Sequence, residues 1–320
     1  MIVTVTPSPA IDWTVEVESF EFGAVNRAVR SSREASGKGV NISWALHRAG
    51  IATRAVFPGG LDGARFMDAA MAREGLDHVI VDTGVEVRVN ISLVTPDSST
   101  KVNESAAALT ADQLDHLRAA ALAACRGASM ALVCGSLPLA TPPGYVRDLA
   151  AQLAAVVPQV VVDTSGAPLR LALDAHPHLV KPNVDELANL VGSTITTLGE
   201  VVDAAQEARR RGAGAVLASL GADGALLVDD EGALHARASD IPVVNSVGAG
   251  DALLAGFVGG GPSRRDRLAA ALLWASSAVA HNTTLFPIRE EFTARITVDD
   301  VADRGTALTE ASKALVETGR

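Results

Sequence analysis

The chain is poor in cysteine, in aromatic residues and in positive charge, and it has no long apolar run. Only Cys125 and Cys134 occur, at a spacing that suits neither a disulfide framework nor a metal cage, so two buried reduced thiols are expected. Aromatic residues make up 3% of the 320 positions, so core volume must come from Ala, Val, Leu and Ile. Lys+Arg 27 against Asp+Glu 37 leaves a formal net charge of −10, which argues against nucleic acid or an anionic membrane as the main partner. The most apolar late segment, 268–280, is too short to span a bilayer and abuts RRDR at 264–267. The opening residues, MIVTVTPSPAID, lack the basic start and apolar run of a secretory leader, so a cytoplasmic protein is expected. A hydrophobic content of 48% excludes a disordered chain.

What is present has two rhythms. Segments 13–18 and 87–94 alternate apolar and polar residues, as half-exposed antiparallel strands do, and 101–103 continues the second after a Pro96-Asp97 turn. Elsewhere short apolar runs (2–5, 52–57, 130–135, 160–163, 215–220) alternate with Ala- and Leu-rich helical stretches. Those helices are expected over about 38–49, 61–74, 111–124, 144–156, 183–191, 199–211, 250–259 and 264–281. The tail, 298–320, reads as one or two surface helices. Strand–helix alternation predicts an α/β fold with a mostly parallel sheet wrapped by helices. The alternating strands form a small sheet beside it, which can act as a lid over a crevice at the strands' carboxyl ends.

Four segments carry chemistry. Gly248-Ala249-Gly250-Asp251 runs directly into an apolar helix, which leaves backbone N–H groups uncovered at a helix N-terminus, where an anion can be held. As a simple cap, Asp251 is one of several residue types that would serve. Beside an anion hole it can instead take the proton of a hydroxyl that attacks a phosphorus. In Ser36-Gly37-Lys38-Gly39-Val40-Asn41 a helix start explains the glycines in part, but nothing structural calls for Lys38. A pocket for a sugar or sugar phosphate would use both Lys38 and Asn41. The segment is not a Walker A loop, and no GxGxxG follows the first strand, so a nicotinamide dehydrogenase is poorly supported. Lys181-Pro182-Asn183-Val184-Asp185-Glu186 is ordinary helix-start chemistry, with Asn183 and Glu186 on one face where phosphates and Mg²⁺ could gather. Ser219 to Ala225 reads as a tight turn between two apolar strands. His47 and His281 have no second ligand at metal spacing, which favours packing or surface roles.

Taken in this order, the segments resemble the ribokinase/PfkB family of ATP-dependent carbohydrate kinases, from Thr6-Pro-Ser-Pro-Ala-Ile-Asp12 to the helix around Trp274. Gly135-Ser136-Leu137-Pro138 and Asp163-Thr164-Ser165-Gly166 also fall where that family places such motifs. Within it, Val25-Asn26-Arg27, the GKG form with Lys38, and Arg88-Val89-Asn90 look most like the 1-phosphofructokinases of the phosphosugar branch. Ser36, Cys134, Ala106 and Ala252 depart from the usual residues, and none of them removes a charge that the chemistry needs.

The resemblance implies a single ribokinase-like domain over 1–320, with lid strands within about 12–35 and 86–105. It implies Asp251 as the base, with the amides of Gly248, Ala249 and Gly250 holding the transferring phosphate. Asp12, Gly37, Gly39 and Asn41 would grip sugar hydroxyls, with Lys38, Arg88, Arg27 and Ser136 at the sugar phosphate. Lys181, Asn183, Ser219 and Gly221 would line the ATP site, with Asn183 and Glu186 organising Mg²⁺ indirectly. The adenine would lie against 243–245 and the helix at 275–282.

The expected reaction is phosphorylation of D-fructose 1-phosphate to the 1,6-bisphosphate by Mg-ATP. Fructose 6-phosphate and tagatose 6-phosphate are the rival substrates. A catalytically silent sugar-phosphate or nucleotide sensor is argued against by the intact Asp251 and GAG segment. An unphosphorylated substrate would leave Lys38 and Arg88 unpaired. A lid with an exposed apolar face is also a natural homodimer contact.

Overall fold

The computed structural model describes residues 1–283 and 285–313. The chain opens with β1 (Ile2–Val5), β2 (Ala10–Val17), β3 (Ala28–Ser36), α1 (Lys38–Arg48), β4 (Thr53–Gly59), α2 (Leu61–Glu74) and β5 (His78–Asp82). Next come β6 (Arg88–Val94), β7 (Ser99–Asn103), α3 (Ala111–Ala124), β8 (Met130–Cys134), α4 (Tyr145–Ala154), β9 (Gln159–Asp163) and α5 (Gly166–Ala172). Then follow β10 (Leu179–Val180), α6 (Val184–Val191), α7 (Leu198–Arg210), β11 (Ala215–Ser219), β12 (Ala225–Asp229) and β13 (Gly232–Ala238). The last elements are α8 (Ala249–Gly259), α9 (Arg264–Val279) and β14 (Ile296–Asp300).

Ten strands form one sheet in the order β14-β13-β12-β11-β10-β9-β8-β1-β4-β5. The run from β11 to β5 is parallel, and β12, β13 and β14 extend it antiparallel. The central strands are apolar on both faces because helices cover both. Val3 and Val5, Ala131 and Val133, and Val216 and Ala218 face a core built with Leu114, Leu149, Leu169, Leu187 and Val201 of α3 to α7. The intervening Ile2, Leu132, Cys134 and Leu217 face the opposite core, with Ile42, Leu46, Leu253, Leu254 and Leu272 of α1, α8 and α9. The mostly parallel α/β expectation therefore holds, and Cys125 and Cys134 are free and buried.

The smaller sheet has the order β3-β2-β6-β7, with β2 parallel to β6 and hairpins on either side. It occupies the two stretches that alternation marked. The helices expected at 61–74 and 111–124 have those bounds, and Thr110 with Gln113 closes a capping box that explains where α3 starts. No helix among the described residues is long and apolar enough to cross a membrane.

The tail is a correction. Residues 296–300 form a strand rather than a helix, because Ile296 and Val298 alternate with polar residues and pair antiparallel to β13. Beyond it, 301–313 contains no helix, and 314–320 lie outside the described residues. α5, β5 and β13 were not anticipated.

α8 and α9 cross at Gly256, where an added Cβ would sit 2.5 Å from the Ala270 carbonyl oxygen and 2.8 Å from the Ala271 Cα. Backbone cannot yield as a side-chain tip does. Gly256→Ala is expected to cost about 1–3 kcal/mol, read as a lower urea midpoint with an unchanged slope.

Candidate active site

The expected site residues cluster where the parallel strands end. β1 leads through Thr6–Pro9 to Asp12, β8 to Gly135 and Ser136, β9 to Asp163, β10 to Lys181, and β11 to Ser219. That is the carboxyl edge of an open α/β sheet, where ligands bind.

α1 starts against this edge. Gly37, its N-cap, has φ 121°, and an added Cβ would meet the Pro9 Cα at 3.0 Å. At Gly39 a Cβ would collide with the Thr6 hydroxyl oxygen. The two glycines therefore let α1 lie on the loop after β1, which places Lys38 and Asn41 over the crevice.

Two polar chains run through the site. In the first, Asn90 Nδ2 donates to Asp12 Oδ1 at 2.9 Å, and Ser36 Oγ donates to Asp12 Oδ2 at 2.6 Å. The same hydroxyl lies 3.2 Å from Asn41 Oδ1, and Asn41 Nδ2 donates to Asp251 Oδ2 at 2.8 Å. These contacts connect the small sheet to α1 and α1 to α8. In the second chain, Lys38 Nζ meets Asp163 Oδ1 at 2.8 Å, and Lys181 Nζ lies 3.4 Å from Asp163 Oδ2. Asp163 is completely buried and Lys181 nearly so.

Asp251 is buried in the first turn of α8. Burial, with the nearby Asp163 charge, pushes its carboxyl up to about 6, against the opposing pull of the Asn41 hydrogen bond and the two lysines. Burial opposes the charge on Lys38, but Asp163, Glu186 and Asp251 outweigh it and hold the ammonium above the usual lysine range. Gly248 takes a left-handed conformation (φ 77°) as the N-cap, which a residue with a Cβ resists. The first amides of a helix have no intrahelical acceptor, and a Cβ at Gly250 would lie 3.4 Å from Lys181 Nζ. The Lys181 ammonium thus stands beside the start of α8.

Arg88 is spent partly on structure. It donates to the carbonyls of Pro9, Glu104 and Ser8, so two of its five N–H groups remain. Its burial lowers its pKa, and Asp12 works the other way. Ser136 is exposed beside Gly135. Asn183 and Glu186 form a capping box at α6, Asn183 Oδ1 accepting from the Glu186 amide and Glu186 Oε2 from the Asn183 amide. The helix-start reading of this segment is therefore its geometry, and Glu186 Oε1 accepts no hydrogen bond among the described residues. Ser219 bridges to Asn183, and Gly221 starts the tight turn into β12.

Arg27 is not brought in. It is exposed in the β2–β3 connection and makes no hydrogen bond or ion pair among the described residues. Asp163, Asn90 and Ser36 had no assigned role, although a carboxylate at the end of an apolar parallel strand was a usable signal. Among the described residues no three His, Cys, Asp or Glu side chains form a metal cage.

A fold, a crevice and a lysine-flanked helix start of this kind define a carbohydrate kinase. The chain belongs to the pfkB family carbohydrate kinases, whose model matches residues 3–290. It is 36% identical over 296 residues to a 1-phosphofructokinase of Haloferax volcanii, covering 91% of this chain and 95% of that one. To a 1-phosphofructokinase of Bacillus subtilis it is 32% identical, over 81% and 85% of the two chains. The crystal structure of phosphofructokinase-2 from Escherichia coli in complex with potassium matches with a TM-score of 0.85 at 26% identity, over 92% of this chain and 98% of that one.

The raised carboxyl carries a stability prediction. Asp251 binds its proton up to about pH 6 when folded and up to about 3.8 when unfolded, so its ionisation weakens the fold as pH rises through that window and not below it. Asp251→Asn removes this loss. The variant is expected to gain roughly 2–3 kcal/mol on the wild type between pH 4 and pH 8, measured by urea unfolding.

Proposed function

We propose that the protein transfers the γ-phosphoryl group of ATP to the free primary hydroxyl of D-fructose 1-phosphate, giving the 1,6-bisphosphate. The observation that carries this is the placing of Asp251. Its carboxylate sits at the start of α8, hydrogen-bonded to Asn41 and flanked by Lys181 and Lys38. Asp251 takes the proton of the attacking hydroxyl while the amides of Gly248, Ala249 and Gly250 stabilise the charge that develops on the transferring group. Asp12 and Asn41, with the backbone at Gly37 and Gly39, orient the sugar. The ammonium of Lys38 has three donors, so it can keep Asp163 and still hold the sugar's phosphate alongside Arg88 and Ser136. Arg27 joins only if the small sheet moves.

Lys181, Asn183, Ser219 and Gly221 line the nucleotide side. Glu186 Oε1 suits a hydrated Mg²⁺ carried in on the phosphates, since that ion keeps several waters and needs few protein oxygens. The ion supplies charge neutralisation of the phosphates when bound. We read the chain as one kinase domain in the cytoplasm, with the smaller sheet as a lid that excludes water from the transferring group.

The same sheet supports a homodimer. Its crevice side carries Asp12 and Asn90, while Trp13, Val15, Ile91, Leu93 and Val102 lie on the other face, half-buried or exposed and outside the buried cores. An apolar face of this kind fits a second copy. Ile91→Lys is expected to shift sedimentation from dimer to monomer.

The activity test is ADP release with Mg-ATP across fructose 1-phosphate, fructose 6-phosphate, tagatose 6-phosphate and free fructose. Fructose 1-phosphate is expected to give the highest kcat/KM, falling as pH drops below about 6, and Asp251→Asn should lower kcat about 10³-fold or more. A higher value with another phosphosugar replaces the substrate, and turnover of free fructose alone removes Lys38 and Arg88 from phosphate binding.

A further inference from the structure

The segment that follows β14 makes contacts that the proposed reaction does not use. Residues 304–312 run antiparallel to 195–199. Gly199 N donates to Arg304 O at 2.8 Å, Leu198 N to Thr306 O at 2.9 Å, Leu308 N to Thr196 O at 2.8 Å and Ser312 N to Ile195 O at 2.8 Å. Leu308 is buried in the core to which α6 and α7 contribute, and a Cβ at Gly199 would lie 2.6 Å from Arg304 O. Ion pairing of Arg304 with Asp203, 2.6 Å apart, fastens the start of the segment to α7. It is a strap with its own anchoring.

Its far end reaches the two turns that line the proposed nucleotide side. Asp223 closes the Gly221 turn, and both of its carboxylate oxygens go to one strap residue: Thr309 N donates to Oδ2 at 2.7 Å and Thr309 Oγ1 to Oδ1 at 2.6 Å. Asp185, in the first turn of α6, accepts from the Lys313 amide at 2.7 Å. Asp223 is two residues from Gly221, and Asp185 stands between Asn183 and Glu186. Inside the fold the two turns meet at the bridge between Asn183 and Ser219, where Ser219 N donates to the Pro182 carbonyl at 3.0 Å. His235 Nε2 donates to the Asp223 carbonyl at 2.7 Å and fixes the turn from β13.

We infer that the 304–313 strap is a clamp that sets the spacing of the α6 start and the Gly221 turn for the nucleotide, with Thr309 and Asp223 as positioning residues. This rests on the nucleotide side proposed above. Loss of the Thr309 hydroxyl frees one Asp223 oxygen and lets the turn widen, so the cost falls on the nucleotide and not on the sugar.

The test measures Mg-ADP binding by calorimetry, and KM for ATP and for the sugar separately, in wild type, Thr309→Val, Thr309→Ser and Asp223→Ala. Thr309→Val is expected to weaken Mg-ADP binding and raise KM for ATP about fivefold, with kcat and the sugar KM within about twofold, and Thr309→Ser to restore both. Asp223→Ala should act in the same direction, and it keeps the test alive if Thr309→Val fails to fold. Unchanged Mg-ADP affinity in the variants overturns the clamp while leaving the kinase reading intact. Equal rises in both KM values, or no rescue by Ser, also overturn it, in favour of a merely structural tail. A wild type that binds no nucleotide overturns the kinase reading and the clamp with it.

Discussion

One buried carboxylate organises the crevice. Asp163 ends β9 with no exposure to solvent, and a charge in that place is tolerable only if it is paired. Its partners arrive from both directions along the chain, Lys38 from α1 and Lys181 from the end of β10. The positions of α1 and of the approach to α6 are thereby tied to the centre of the sheet. The same carboxylate, through space, helps hold the Asp251 proton to a higher pH than an exposed aspartate would keep it. A base that titrates near 6 is charged at neutral pH yet retains basicity toward a hydroxyl, a compromise that general-base catalysis favours.

Around this centre the molecule divides its labour. The ten-stranded sheet supplies fixed points at its carboxyl edge, and helix starts fill the space between them: Gly37 to Asn41, Asn183 to Glu186, and Gly248 to Asp251. The α6 start fills two of its amides with its own capping box, whereas the starts of α1 and α8 have no side-chain cap and leave amides and a positive dipole end for phosphorylated ligands. The chain's net charge of −10 does not conflict with that, because Lys38 and Lys181 stand at this edge of the sheet.

Much of this was legible because several motifs, Gly135-Ser136, Asp163-Thr164, Lys181-Pro182 and Ser219-Leu220, sit at the end of short apolar strands. The segments 36–41 and 248–251 announce themselves instead by glycines that open a helix. Helices 61–74 and 111–124 were readable to the residue, and the lid strands were separable by their alternation. The tail was misread because its Ala and acidic residues resemble helix formers locally. Pairing of Ile296 and Val298 with β13, and burial of Leu308, are tertiary effects that outweigh that preference. Within the site, the tie from Asp163 to Lys38 spans 125 residues and leaves no local trace. That Arg27 lies exposed, away from Lys38 and Arg88, was hidden for the same reason, since charge type is visible in a sequence and convergence is not.

The parallel pairing of β2 with β6 has a consequence for how the chain assembles. Each strand has a local hairpin partner, but Asp12 and Asn90 meet across 78 residues, with β4, α2 and β5 threaded between them. Closing so long a loop is entropically expensive until the intervening elements have docked. The pairing of the two hairpins therefore depends on those elements being in place, and so does the Asn90 support of Asp12. The carboxylate that faces the sugar is thus held by a partner that no local turn delivers, and its geometry is only as firm as the docking of everything between the two hairpins.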